Sequence, residues 1–131
     1  MTERSRSALA RGPDWLRIGP SALHWDGAAL AIDIRETSFP IPSRFRGRVM
    51  VRPRALVMQP FALDRERRHL WQPIATRADV EVAMASPDLC WTGSGYFDSN
   101  FGVEPLEQGF SIWQWTRAHA GQREHVFYEG T

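Results

Sequence analysis

The segment from Gly93 to Gly102 carries one carboxylate among aromatic residues and glycines. Tyr96 and Asp98 are two positions apart, so on an extended strand both side chains lie on the same face of the sheet. If that face lines an apolar cavity, burial without a counter-charge favours the protonated form of the carboxyl group. Asp98 is therefore a candidate proton donor.

A second pair of candidate residues lies upstream in the chain. His69 and Trp71 are also two positions apart, so on a strand they too share one face. The two pairs could line one pocket. The alternative interpretation is purely structural, because aromatic residues of β domains commonly fill the core and a single histidine is commonly a hydrogen-bonded structural residue.

The elements that would position these residues have the pattern of β-strands. Pro and Gly interrupt the chain at short intervals, and between them apolar and polar residues alternate rather than repeat at helical spacing. No long amphipathic helix is predicted. The pattern predicts an all-β fold, an antiparallel barrel or sandwich. Its strands are residues 27–36, 47–57, 70–74, 78–85, 89–98, 110–117 and 125–129.

The predicted domain organisation is a flexible arm over residues 1–13 followed by one β domain over residues 14–131. A chain of 131 residues has the length of a single domain. The last predicted strand is followed by only two residues, so we expect its partner strand to be missing and the barrel to be incomplete. The chain is accordingly interpreted as a piece of a longer protein.

Charge and residue spacing narrow the function classes. The net charge is +1, with sixteen basic residues against fifteen acidic ones, which argues against nucleic-acid binding. The run from Arg65 to Arg68 is interpreted as a solvated turn, with contact to anionic lipid headgroups as the alternative. The single cysteine excludes an internal disulfide. The four histidines lack zinc-site spacing and no nucleotide-loop motif is complete, so we expect neither a metal nor another cofactor.

Short motifs span nearly the whole chain. They are Asp14 to Ser21, Ile41-Pro42 with Arg46 to Val49, His69 to Ala75, Gly93 to Asn100 with Glu104 to Glu107, and Trp113 to Arg117. In this order and at this spacing they closely resemble the carotenoid 1,2-hydratase family (CrtC, hydroxyneurosporene synthase) of phototrophic bacteria. Members of that family are longer and lipocalin-like (calycin-type), so the resemblance implies an internal or truncated portion of a two-barrel protein.

The resemblance also implies an activity, that of a lyase that adds water to the terminal 1,2 double bond of an acyclic carotenoid such as neurosporene or lycopene, without a cofactor. In that chemistry an acid protonates the alkene, a tertiary carbocation forms, and water captures it. The family's Gly-Tyr-Phe-Asp motif falls on Tyr96 and Asp98, which makes Asp98 the proton donor. The family's His-x-Trp pair falls on His69 and Trp71. The expected location is cytoplasmic, with peripheral contact to the intracytoplasmic membrane.

General physical chemistry fits these assignments. An exposed aspartate is ionised at neutral pH, so a proton donor requires a desolvated pocket. Trp71 offers a π face to the developing cation, worth roughly 2 kcal/mol when desolvated. His69 could orient the attacking water or accept its proton, and Tyr96 could hold Asp98 or the water by a hydrogen bond. Two alternatives stay open, which are a calycin-like carrier of a long apolar ligand and an inactive hydratase fragment.

Overall fold

The computed structural model of the chain describes residues 4–121 and 123–131. A 3₁₀-helix covers Arg6–Ala8, and α1 is one turn over Leu106–Gly109. The described chain is nearly all antiparallel β, which confirms the predicted fold class. The strands are β1 (Leu9–Arg11), β2 (Trp15–Ile18), β3 (Ser21–Trp25), β4 (Leu30–Thr37), β5 (Arg44–Pro53), β6 (Phe61–Ala62), β7 (His69–Ser86), β8 (Asp88–Gly102), β9 (Trp113–Ala120) and β10 (Arg123–Gly130).

The strands form two sheets. In the larger sheet, neighbouring strands follow the order β1-β2-β3-β4-β5-β7-β6, and β8 also pairs with β7. The smaller sheet consists of β9 and β10. Over the described residues the larger sheet is open, which is consistent with an incomplete barrel or a sandwich layer.

The chain divides into two compact units. The first comprises residues 4–53 and Asp79–Gly95, which include β1 to β5. The second comprises Arg54–Ala78 and Tyr96–Thr131, which include β6, α1, β9 and β10. The long strands β7 and β8 contribute residues to both units. All four candidate residues predicted from the sequence belong to the second unit.

In the first unit, β1 to β5 form an antiparallel meander with local turn signals. Asp26 Oδ1 accepts hydrogen bonds from the backbone N–H groups of Ala28 and Ala29, at 2.8 and 2.7 Å, and this Asx-type turn joins β3 to β4. Gly19, with a φ of 59°, supplies the left-handed residue of the turn between β2 and β3. Strands β4 and β5 then pair along eight residues.

In the second unit, β6 pairs with the first residues of β7, so that Phe61 lies opposite Trp71. The exposed turn before β7 includes the arginine-rich run from Arg65 to Arg68, as predicted. Strand β10 pairs with β9 over its whole length. Within the described residues no strand pairs with the other edge of β10, so the predicted missing partner would belong on that edge.

Strand β7 is continuous where the sequence predicts two separate strands. Burial falls on His69, Pro73 and Ala75, and then on Ala78 and Val82. The buried positions thus change from odd to even numbers within one strand. A phase change of this kind, as at a β-bulge, interrupts the period-two pattern without ending the strand.

The buried core is small. Among the described residues, the buried apolar side chains are Ala29, Pro73, Ala75, Ala78 and Val82. Large apolar side chains such as Trp113 and Phe127 remain exposed. No helix in the described part of the chain is both long and apolar enough to cross a membrane.

The predicted arm over residues 1–13 is only partly covered by the structure. Residues 1–3 lie outside the described residues. Within the rest, Leu9–Arg11 form β1 and pair antiparallel with β2. The division into an arm and a β domain that belongs to a longer two-barrel protein stays a prediction.

Candidate active site

Three of the four predicted residues meet through one carboxylate oxygen. The indole Nε1–H of Trp71, on β7, donates a hydrogen bond to Asp98 Oδ2 at 2.9 Å. The hydroxyl of Tyr96 donates to the same oxygen, also at 2.9 Å. Trp71 Nε1 lies 3.2 Å from the Tyr96 hydroxyl oxygen, which closes the triangle. Because Tyr96 and Asp98 are two residues apart on β8, the period-two geometry brings both to the strand face that meets Trp71.

The triangle is polar but contains no cation. Asp98 is half-buried, and within the described residues it forms no ion pair and its Oδ1 accepts no hydrogen bond. Burial, and then the hydrogen bond to Asp98, raise the pKa of Tyr96 to about 12. The phenol therefore keeps its proton at neutral pH and serves as a donor to the carboxylate.

Aromatic rings surround this carboxylate. Trp71 packs against Phe61 and Tyr128, each with ring centroids 5.8 Å apart. Tyr96 packs against Trp115 at 5.1 Å. Burial, and then the charge of Asp98, raise the pKa of Tyr128. Asp98 therefore lies beside an aromatic wall built from β6, β7, β8, β9 and β10.

The wall continues along the smaller sheet. Trp113 stacks on Tyr128, with ring centroids 6.0 Å apart and an interplanar angle of 17°. The guanidinium carbon of Arg117 lies 5.7 Å from the centroid of the Tyr96 ring. In the register of the two strands, Tyr128 lies opposite Trp115. The smaller sheet therefore supplies rings to the site, as cross-strand aromatic pairs commonly do.

His69, the fourth predicted residue, has a different set of partners. It is buried, and its backbone N–H donates to Asp64 Oδ2 at 2.7 Å. Its ring Nδ1 lies 2.8 Å from the same oxygen. On the other side of the ring, Nε2 lies 3.3 Å from the Pro105 carbonyl oxygen and 3.6 Å from Glu104 Oε1. Phe110 packs against the ring at 5.1 Å. His69 thus joins the turn before β7 to the segment that leads into α1.

The contacts of His69 bear on its protonation. Burial acts to raise the pKa of Asp64, but hydrogen bonds from the backbone of Arg68 and from His69 outweigh it and lower the pKa to about 2. An ionised carboxylate only accepts, so Nδ1 carries a proton. Nδ1–H therefore donates to Asp64, and Nε2 faces the Pro105 carbonyl oxygen.

A second carboxylate, Glu104, lies near the His69 ring. Glu104 Oε1 is buried and accepts no hydrogen bond within the described residues. It lies 3.2 Å from a guanidinium nitrogen of Arg68, besides its contact with His69. The ring of His69 thus lies between the carboxylates of Asp64 and Glu104, and the guanidinium group of Arg68 pairs with Glu104. This group of four residues is named the His69 cluster below.

A cavity of about 190 Å³ lies beside the His69 cluster. Its polar lining comes from His69, Asn100 and Glu104, and the rest is mainly apolar. The apolar lining residues include Leu63, Leu70, Phe101 and Leu106. The cavity has room for several water molecules or a small apolar group.

The structure thus brings Trp71, Tyr96 and Asp98 together, and none of the contacts of His69 described above is with Asp98. Sequence reasoning missed Tyr128, because its strand was expected to lack a partner. It also missed Asp64 and Glu104, whose distances along the chain from His69 follow no strand period. Within the described residues, no group of three or more His, Cys, Asp or Glu side chains has the geometry of a metal site.

A family model described as "Carotenoid hydratase CrtC" matches residues 1–131. No solved structure matches the chain. The match to the family therefore rests on sequence, and it extends from Met1 to Thr131.

Curated relatives carry one name, "Acyclic carotenoid 1,2-hydratase". The protein from Thiocapsa roseopersicina is 50% identical over 131 residues, which is 100% of this chain and 32% of the relative. The Rubrivivax gelatinosus protein is 47% identical over 118 residues, or 90% and 29% of the two chains. The Rhodobacter capsulatus protein is 44% identical over 132 residues, or 100% and 47%. The chain thus spans between about a third and about half the length of these relatives.

Proposed function

This chain belongs to the carotenoid hydratase CrtC family, and on that premise we propose that it carries the catalytic region of an acyclic carotenoid 1,2-hydratase. The reaction proposed is the addition of water to the terminal 1,2 double bond of an acyclic carotenoid, of the neurosporene or lycopene type, without a cofactor. The names of the relatives support the reaction class. The convergence of Trp71 and Tyr96 on Asp98 is the observation that carries the assignment of the acid.

The proposed reaction balances with water alone. The Asp98 carboxyl group transfers its proton to C2 of the terminal double bond, which leaves a carboxylate and a tertiary carbocation at C1. A water oxygen then forms a bond to C1. The oxonium group that results loses a proton, which returns to the carboxylate directly or through solvent, and the product is a tertiary alcohol.

The two oxygens of Asp98 differ in their hydrogen bonds, which supports different roles for them in the reaction. Oδ2 already accepts two hydrogen bonds, whereas Oδ1 accepts none within the described residues. We assign the reactive proton to Oδ1. Trp71 and Tyr96 fix the orientation of the carboxyl group, and they stabilise the negative charge that appears on it when the proton leaves. Donors that strengthen as charge develops favour the transition state over the ground state.

The aromatic wall supports the carbocation step. The rings of Trp71, Tyr96 and Tyr128 lie around the carboxylate, and a π face attracts a desolvated cation by roughly 2 kcal/mol. An aromatic lining is also compatible with a long polyene substrate. We propose that these three rings bind the substrate end and stabilise the cation until water attacks.

His69 has a supporting role in this proposal. It was a candidate for orienting the water or accepting its proton, but both of its ring nitrogens already have partners. The contacts of its ring are with Asp64, Pro105 and Glu104. We propose that His69 positions the start of β7, and hence Trp71 two residues on.

We further propose a cytoplasmic location with peripheral attachment to the membrane. An acyclic carotenoid is long and apolar, so it is held in the bilayer rather than in water. An enzyme that acts on it needs access to the acyl region of the membrane.

The test is turnover with and without the proposed acid. The chain would be incubated with lycopene or neurosporene in membranes, without added cofactor, and the products separated by chromatography and weighed by mass spectrometry. We expect a product heavier by one water. Asp98→Asn should lower the rate by roughly 10²–10⁴, the range of a general acid. Asp88→Asn, on the same strand but outside the triangle, is the matched control and should keep full activity.

Two outcomes would overturn the proposal. A folded chain that binds carotenoid equally well with and without the Asp98→Asn substitution, and forms no product in either case, would be a carrier rather than a hydratase. A chain that forms the product equally well after Asp98→Asn would have its proton donor elsewhere.

A further inference from the structure

The loop between β4 and β5, residues 38–43, projects two large apolar side chains into solvent. Phe39 is 76% exposed and Ile41 is 81% exposed. An exposed apolar patch with a polar rim is a common mark of an interaction site on a protein. The loop, with the two strand ends that carry it, is named the 38–43 tip.

Hydrogen bonds across the base of the 38–43 tip hold the loop in a closed conformation. The Ser38 hydroxyl donates to the Ile41 carbonyl oxygen at 2.6 Å and accepts from the Ser43 backbone N–H at 3.0 Å. The Ser38 backbone N–H donates to the Ser43 carbonyl oxygen at 2.9 Å. Pro40 and Pro42 restrict the backbone on either side of Ile41. The apolar residues are therefore held outward by a closed loop.

Arginines lie directly behind the tip. In the register of β4 and β5, Arg35 lies opposite Arg46, and Arg44 lies two residues nearer the loop on the same face as Arg46. All three are exposed, and none of the three has an ion pair among the described residues. Like charges directly opposite each other on a sheet are unfavourable. The nearest anion on this face is Asp33, two residues before Arg35, and its pKa is lowered chiefly by the hydrogen bond from Arg48 and further by the charge of Arg35.

The next pair of residues along the same strand face consists of opposite charges rather than like charges. Arg48 lies opposite Asp33 and forms a bidentate pair with it, at 2.7 and 3.0 Å. The side chain of Arg68, in the arginine-rich turn, is likewise committed to Glu104. Three arginines without an ion pair among the described residues therefore lie on the strand ends that carry Phe39 and Ile41.

We propose that the 38–43 tip is a membrane anchor that binds anionic lipid bilayers. Phe39 and Ile41 insert at the boundary between headgroups and acyl chains. Arg35, Arg44 and Arg46 bind the lipid phosphates, since a guanidinium group pairs well with phosphate oxygens. An apolar tip with a basic collar matches a surface that is apolar inside and negatively charged at its rim. This inference deepens the peripheral attachment proposed above and rests on it.

Vesicle binding tests the anchor without using enzyme activity. The probes are sedimenting vesicles of phosphatidylcholine, with or without an equal part of phosphatidylglycerol, and contain no carotenoid. We expect the chain to bind the anionic vesicles more tightly, and to lose that preference at high salt. Failure of hydration would leave this readout unchanged, so the two proposals can fail separately.

The apolar part is tested by a double variant. Phe39→Ser with Ile41→Ser should weaken binding to anionic vesicles roughly tenfold or more, because two large apolar side chains lose their burial. Met58→Ser with Val103→Ser is the matched control, since these residues are 78% and 82% exposed elsewhere on the chain. The control should bind like the wild type. Equal losses in both variants would mean nonspecific adsorption and would overturn the proposal.

The arginines of the tip are tested by a double variant with a matched control. Arg35→Gln with Arg46→Gln should weaken binding to anionic vesicles by about fivefold for each arginine removed, and should change binding to neutral vesicles little. Arg65→Gln with Arg67→Gln removes the same charge from the exposed turn before β7. If this control loses as much, binding follows net charge alone and the assignment to the tip is wrong.

A direct measurement of insertion covers the case in which a variant is unstable. Ile41→Cys in a Cys90→Ser background gives one thiol for an environment-sensitive fluorophore. We expect its emission to shift to the blue on anionic vesicles, and the same label after Met58→Cys to stay unshifted. An unshifted label at residue 41 on vesicles that bind the chain would overturn the anchor.

Discussion

Two carboxylates in the second unit accept hydrogen bonds at similar distances but have different partners. Asp64 accepts from His69 and from two backbone N–H groups, and its pKa falls to about 2. Asp98 accepts only from the neutral donors Trp71 and Tyr96, and among the described residues no cation pairs with it. The difference teaches that the residue type alone does not set the role. Hydrogen bonds from N–H groups stabilise Asp64 as an anion, whereas Asp98 lies among aromatic rings and its Oδ1 accepts no hydrogen bond in the described part of the chain.

The largest effect on stability is expected at the glycine that meets His69. A Cβ atom on Gly109 would overlap Cε1 of the ring and lie 2.9 Å from both ring nitrogens. His69 cannot move away, because both nitrogens are held. Alanine gains up to about 1 kcal/mol of helix propensity, but overpacking costs about 1–3 kcal/mol and outweighs it. Gly109→Ala should therefore lower the free energy of unfolding, measured in urea.

The matched control for that substitution is Gly93→Ala. An added Cβ there lies 3.3 Å from the Trp91 ring, which is exposed and able to shift. The free energy of unfolding should change little. If Gly109→Ala is equally harmless, the His69 cluster is looser than its contacts indicate, and the contrast between the two carboxylates weakens.

The next largest effect concerns the donors to Asp98. Tyr96→Phe keeps the ring and removes one hydrogen bond to a carboxylate, so turnover should fall roughly tenfold. Tyr128→Phe is the control, because the Tyr128 ring faces the site but donates no hydrogen bond to Asp98 among the described residues. Its turnover should stay near the wild-type value. Equal losses of turnover in the two variants would show that both hydroxyl groups contribute alike, and that the hydrogen bond from Tyr96 to Asp98 has no separate role.

A smaller effect is expected from the pH dependence of the His69 cluster. The pKa of Asp64 lies below its ordinary value of 3.8, so its stabilising contribution is complete above about pH 4 and is lost as the pH falls toward 2. Asp64→Asn should lower the thermal midpoint at neutral pH and should converge with the wild type near pH 2. Parallel curves from pH 6 to pH 2 would contradict this account.

The smallest effect is expected in the titration of the tyrosines. The chain contains two, and both have a raised pKa, that of Tyr96 to about 12. The stability that Tyr96 provides is therefore complete below about pH 10 and is lost as the pH rises toward 12. Near-ultraviolet absorbance should show little tyrosinate at pH 10 in the folded chain. Half-ionisation at pH 10, as in urea, would place both phenols in water.

Much of the site near Asp98 could be predicted from the sequence, because it depends on the period of a strand. Tyr96 and Asp98 share a face of β8 for that reason, and Trp71 was found by the same spacing from His69. The spacing also allowed all four residues to line one pocket, but the contacts of His69 described above are not with the other three residues. The partners of His69 come from a turn and from the segment before α1, and such contacts have no sequence period.

The prediction of the strands from the sequence was limited in the same way. Strands β4 and β5 alternate clearly, and the sequence predicted both. Strands β1 to β3 were missed because Pro13 and the Gly19-Pro20 turn leave only three to five residues for each of them. The phase change between Ala75 and Ala78 made one strand look like two. These features depend on pairing with neighbours rather than on local pattern.

The most direct test of the central claim compares the two carboxylates in one experiment. Asp98→Asn and Asp64→Asn would be assayed side by side for hydration of lycopene and for thermal midpoint. We expect Asp98→Asn to lose at least about 100-fold in turnover with its midpoint little changed, and Asp64→Asn to lose stability while turnover at low temperature stays within about tenfold. Retained turnover in Asp98→Asn, or lost turnover in a fully stable Asp64→Asn, would contradict the account.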